Sequence, residues 1–138
     1  MTLPASPLPD AHFPPLRGLI LFAHGARDPA WAEPFKRLRE LTQTALPQMQ
    51  VALAFLELMQ PDLHTLSAQM VAQGVEDITL VPVFLGQGGH VRRDLPALVE
   101  QVKLAHPDVA MRVSEAVGEN AAVLQAIAQY CVSAVDLG

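Results

Sequence analysis

The chain has 138 residues, 51% of them apolar, 17% charged and 5% aromatic, and its nine basic and fourteen acidic side chains leave a net charge of −5. One domain is the natural count at this length, and such a chain buries about 70% of its unfolded surface without a disulfide or structural metal. The composition excludes collagen, a disulfide scaffold and a disordered chain. The acidic balance argues against a nucleic-acid partner and against attachment to anionic membranes, and no stretch approaches the roughly 18 apolar residues of a membrane span.

Residues 1–16 hold five prolines and no basic residue ahead of an apolar run, so they do not read as a signal peptide. They are expected to form a disordered Pro-rich tail, with His12 solvated, before a single cytoplasmic α/β domain over 17–138. Gly18–His24 is a short apolar run closed by Gly25 and reads as a strand buried on both faces. Asp28-Pro29 resembles a helix start, but Pro34 soon follows. Either a short turn precedes the helix or the helix kinks. Phe35, Leu38 and Leu41 then keep helical spacing as far as about Leu46, and Pro47 ends the element.

Val51–Leu56 is a second apolar run with Glu57 at its end. Pro61-Asp62 opens a helix with Leu63, Leu66 and Met70 on its core stripe, and Gly74 caps it. Ile78–Leu85 reads as a third strand with an irregularity or end near Pro82. A flexible loop, Gly86–His90, is expected next, then a helix from about Arg93 to His106, a strand at Val109–Val113 and a last helix at Asn120–Val135. His64 and His106 read as solvated. Cys131, the single cysteine, forms no internal disulfide and reads as a small buried hydrophobe.

This alternation predicts a three-layer α/β sandwich with a four-stranded parallel sheet in flavodoxin-like order 2-1-3-4, and a ligand at the carboxyl ends of the strands. The last helix carries only Gln125, Gln129 and Ser133 as a polar stripe. That is either a helix tucked against the sheet or, the favoured reading, a subunit interface.

His24, Glu57 and His90 are expected at the tips of three successive strands, each 33 residues from the next. Neighbouring strands lie about 4.8 Å apart, so three tips fall within roughly 10 Å. Two imidazoles and a carboxylate suit a first-row divalent metal rather than magnesium. Glu57 follows Ala-Phe-Leu, where the strand would continue apolar, so it needs a partner or water. Arg27 and Arg92 are candidates to clamp substrate carboxylates; for Arg27 the alternative is a pair with Asp28 or Asp94, and Arg93 reads as solvated. No P-loop, G-x-G-x-x-G, H-E-x-x-H or G-x-S-x-G motif is present.

His24-Gly-Ala-Arg-Asp28, Ala54-Phe-Leu-Glu57 and Val81-Pro-Val-Phe-Leu followed by Gly88-Gly-His90-Val resemble, in order, three motifs of the small single-domain tetrapyrrole chelatases of the CbiX/SirB type. The resemblance covers about residues 17–120. Ala26 stands where the family usually has Ser, and the His-rich tract of some members is absent. The resemblance implies a class II chelatase fold and a homodimer. It also implies insertion of cobalt or iron into sirohydrochlorin, toward cobalamin or sirohaem, with His24 and His90 as metal-binding catalytic residues and Glu57 beside them. Gly88 and Gly89 would help wall the macrocycle. No cofactor is expected beyond the substrate metal, Co²⁺, Fe²⁺ or Ni²⁺, because the reaction exchanges two pyrrole protons for one ion. The rivals are a carrier that delivers cobalt or nickel without inserting it and a domain that only binds tetrapyrrole. The glycines at 86, 88 and 89 favour the enzyme, since a carrier needs no room for a flat ring.

Overall fold

The computed structural model describes residues 16–136. The Pro-rich segment, with His12, lies outside the described residues except for Leu16, which already belongs to a strand. Four parallel strands, β1 (Leu16–Ala23), β2 (Gln50–Phe55), β3 (Val75–Pro82) and β4 (Ala110–Val113), lie in the order β2-β1-β3-β4. The helices are α1 (Glu33–Ala45), α2 (Leu63–Ala72), α3 (Gly89–Ala105) and α4 (Ala121–Asp136). The predicted strand order is the observed one. Among the described residues no helix is long and apolar enough to cross a membrane.

β1 runs down the middle and buries its last six residues completely or nearly so, as an apolar run in a central parallel strand should. Ile20, Phe22, Ala54, Ile78 and Leu80 face α2 and α3, which contribute Leu63, Leu66, Met70, Val91, Leu95, Val99 and Val102. Phe22 meets Phe84 edge-on at 6.0 Å between ring centres. Burying each of these large side chains contributes about 2–3 kcal/mol. The opposite face is thinner. Leu19, Leu21 and Val51 are buried there, while Leu38 of α1 and Val81 and Val83 after mid-β3 are only partly covered. Leu41, expected on the core stripe of α1, is exposed instead.

Local chemistry sets the element ends. Asp28 caps a 3₁₀ turn, Pro29–Ala32, by accepting from the Ala30 amide at 2.9 Å. α1 then starts with Pro34 in its first turn, where the missing amide costs nothing. The short turn, not the kink, resolves the two prolines. Asp62 caps α2 through the Thr65 amide at 2.7 Å, and Gly74 turns the chain at φ +98°. The outer edge of β2 is closed by side chains: Arg39 donates to the Val51 carbonyl at 2.8 Å and Gln43 accepts from the Val51 amide at 3.1 Å. Those groups would otherwise invite another strand.

Three placements differ from expectation: the start of α3, Cys131 and His106. α3 begins at Gly89 rather than about Arg93, because Gly88 takes an extended cap conformation and accepts the Arg92 amide at 3.1 Å. Of the two readings of the last helix, the one tucked against the sheet is not observed for α4. It buries none of its residues and leans chiefly on the 3₁₀ turn Val117–Glu119. Cys131 is therefore exposed, not buried. His106, expected in solvent, closes α3 with its Nε2 enclosed and unpartnered.

Candidate functional site

The β1–β2 ladder continues past the ends of both strands. Leu56 N–H donates to the Ala23 carbonyl at 2.9 Å and Glu57 N–H to the His24 carbonyl at 3.1 Å. This brings the two backbones together, and the side chains follow: His24 Nε2 lies 3.0 Å from Glu57 Oε2. Gly25 makes the approach possible. Its φ is +95°, and a Cβ there would collide with the Glu57 carbonyl oxygen. Leu58, on the other side of Glu57, holds φ +67°, an uncommon conformation for a residue with a branched side chain. Both His24 and Glu57 keep nearly half of their side-chain surface open to solvent.

His90 does not end a strand. β3 stops at Pro82, and His90 is the second residue of α3. The equal spacing of His24, Glu57 and His90 therefore does not place the third residue as it places the first two. Proline cannot extend the ladder, and the Gly-rich segment that follows goes into a loop and a helix cap. On α3 the Nδ1 of His90 faces Oδ2 of Asp94, four residues on, at 3.0 Å. Asp94 was missed as a partner of His90, because the i, i+4 relation exists only once the helix begins before His90.

The three candidate ligands thus stand as two pairs. Among the described residues no three of His, Cys, Asp or Glu group closely enough to hold one ion. The pairs share a neighbourhood: Glu57, His90 and Asp94 line one recess of ≈ 350 Å³, with Leu56, Leu98 and Gln101. A carboxylate only accepts, so a hydrogen bond here takes its proton from Nε2 of His24, and in the neutral tautomer that provides it Nδ1 carries the lone pair. A neutral imidazole with one free nitrogen, open to solvent, can take a divalent ion.

Arg27 is exposed and, with Lys36, lines a second recess whose lining does not include His24. Neither suggested rival engages it, since Asp28 caps its own turn and Asp94 faces His90. Arg92 lies apart. It borders a recess of ≈ 240 Å³ with Glu115 and Glu119, and neither His24 nor Glu57 is in that lining. Gly88 and Gly89 form the cap and first residue of α3, in open surroundings just before His90. A larger recess of ≈ 530 Å³, between α1, β2 and α2, contains none of the candidate ligands.

The CbiX family model matches residues 18–134. A solved structure described as a cobalamin (vitamin B12) biosynthesis CbiX protein of Marinobacter aquaeolei is 35% identical and superposes with a TM-score of 0.79, over 88% of this chain and 99% of the other. The sirohydrochlorin cobaltochelatase of Methanopyrus kandleri is 30% identical over 81 residues, 59% of this chain and 57% of that protein. The matched stretch thus spans under two thirds of that relative. The sirohydrochlorin chelatase SirB of Bacillus subtilis, solved with cobalt, shares the fold, with a TM-score of 0.68 and 22% identity over 86% of this chain and 50% of SirB.

Proposed function

The chain belongs to the CbiX family, and from that premise we propose that it inserts a divalent metal ion into sirohydrochlorin, cobalt by preference and iron next. The observation that carries this reading is the His24–Glu57 pair, joined at 3.0 Å beyond the ends of β1 and β2 and left open to solvent, with His90 bordering a recess that Glu57 also lines. A pair left open to solvent in this way is reachable by the face of a flat ring, which a closed metal-storage site would not be.

The reaction joins one M²⁺ to two pyrrole nitrogens and releases two N–H protons. His24 and His90, neutral, hold the ion and hand it to the ring nitrogens. An imidazole that has released the metal regains a basic nitrogen and accepts one departing proton. Glu57 orients His24 and accepts the second. Gly88 and Gly89 leave space for the ring at the start of α3, and Arg27 matches the substrate's peripheral carboxylates. Arg92, beside two glutamates, contributes charge only to a part of the substrate that reaches the β4 side. No bound nucleotide or resident cofactor enters the scheme.

We further propose that the chain works as a homodimer through α4. Over Ala121–Val135 the helix has no charged residue, and Tyr130, Val132 and Val135 are 72%, 68% and 79% exposed. An apolar helix left uncovered in this way is characteristic of a subunit contact.

The test is turnover by variants whose folding is checked by circular dichroism. His24→Ala and His90→Ala each lower the metal insertion rate by about 100-fold or more, the scale of a lost acid–base and ligand group, with melting little changed. Full activity in either folded variant contradicts the assignment.

A further inference from the structure

Between the loop that follows β1 and the one that follows β2 lies a recess of ≈ 330 Å³ whose lining includes Arg27, Lys36, Phe55, Leu58 and Met59. Its two charged lining residues are both cations and no acid shares it, although the whole chain carries −5. Two cations on one recess offer an anion two charge partners, with Glu33 the neighbouring acid that competes for Lys36. The recess is continuous in sequence with the site. Arg27 is three residues after His24, and Leu58 directly follows Glu57.

Leu58 adds a second, independent signal. It is a large aliphatic side chain left 58% exposed, on a backbone held at φ +67°. Left-handed backbone costs a non-glycine residue of order 1 kcal/mol or more and persists where the surroundings enforce it, often at ligand sites. Here the enforced conformation holds an aliphatic group at the mouth of a cationic recess. Lys36 itself has only a weak partner, Glu33 at 3.2 Å, with both side chains well exposed. An exposed pair of that kind contributes little and yields to a better-placed anion.

We propose that this recess is a subsite for one peripheral carboxylate arm of the tetrapyrrole, with the carboxylate between Arg27 and Lys36 and Leu58 packed against the edge of the ring. The assignment rests on the chelatase reading and extends it to a residue, Lys36, that sets substrate affinity without touching the metal. Glu33 becomes a competitor that the arm displaces.

The experiment is a titration of the full chain with metal-free sirohydrochlorin, followed by absorbance at two salt concentrations. Co²⁺ affinity is measured separately on the same proteins. Lys36→Met weakens sirohydrochlorin binding about threefold to tenfold, and Lys36→Glu weakens it further, as expected for a charge-assisted contact near solvent. Lys36→Arg restores binding, and Glu33→Gln tightens it by about twofold by freeing Lys36. Co²⁺ affinity stays at the wild-type value throughout, and the effects shrink in high salt. Leu58→Gly weakens tetrapyrrole binding while thermal stability holds or rises, because glycine relieves the left-handed backbone; a purely structural role would lower both. Wild-type sirohydrochlorin affinity in both Lys36→Met and Lys36→Glu overturns the subsite, and so would equal loss in Lys36→Arg. The two readings fail separately. A wild-type chain that shows this affinity series but does not accelerate metal entry refutes the chelatase and leaves the subsite standing. Normal turnover with a flat affinity series does the reverse.

Discussion

At Gly25 the backbone turns with φ +95° immediately beneath the Glu57 carbonyl, and the hydrogen bond from Glu57 N–H to the His24 carbonyl closes over it. An added methyl meets both objections at once, since it cannot adopt the dihedral cheaply and it has no space. Gly25→Ala should destabilise the fold by about 1–3 kcal/mol, as read by urea denaturation. It should also slow metal insertion through a displaced His24–Glu57 pair. Wild-type stability and rate in this variant would contradict the geometry described for the site. His24 and Glu57 were legible in the sequence because each follows an apolar run that must be a buried strand, so a polar residue at its end has few roles. Asp94 was not legible as the partner of His90. Its relation to that residue depends on where a helix begins, and Gly86–Gly89 gives the local signal of a loop.

Among the elements, the strands and their order were readable, since short apolar runs alternating with helical stripes leave few topologies. The ends were less so. β3 runs from Val75 because Val75 fills the core, although Glu76 and Asp77 resemble a loop in the sequence. α2 shows how a single cap decides an end. The Thr65 amide, with help from the Thr65 hydroxyl and against a small opposing effect of burial, holds the Asp62 carboxyl below the ordinary carboxylate range. A carboxyl whose folded value is depressed stabilises the fold above its unfolded value, near pH 3.9, and the contribution is lost as pH falls through the folded value. Asp62→Ala therefore costs about 1 kcal/mol at pH 7, and the gap to wild type narrows below about pH 4. Paired denaturation curves at neutral and acid pH measure this. A gap that stays constant into strong acid would contradict the capping account. The apolar composition of α4 was equally plain, but composition does not say what covers a helix. The expectation that Cys131 is buried fails for that reason, since nothing within the described residues covers α4.

At the scale of the molecule, one sheet face is thickly covered by α2 and α3, the other is lightly covered by α1, and α4 stands clear with its apolar residues in solvent. A stable association needs about 800 Å² buried per partner, and a bare four-turn helix together with part of an uncovered face is of that order. Ile127→Asp should convert a dimer to a monomer in light scattering, because it places a charge in the middle of the apolar helix. A wild-type chain that is monomeric at micromolar concentration would contradict the dimer. The central claim concerns chemistry, and one optical measurement tests it most directly. Metal-free sirohydrochlorin is mixed anaerobically with the full chain, Co²⁺, Fe²⁺ or Ni²⁺ is added in separate cuvettes, and the absorbance change is compared with protein-free controls. A protein-dependent rate, fastest with Co²⁺ and lost in His24→Ala, is the predicted result. Tight metal binding with no acceleration by any of the three ions would contradict it and identify the chain as a carrier.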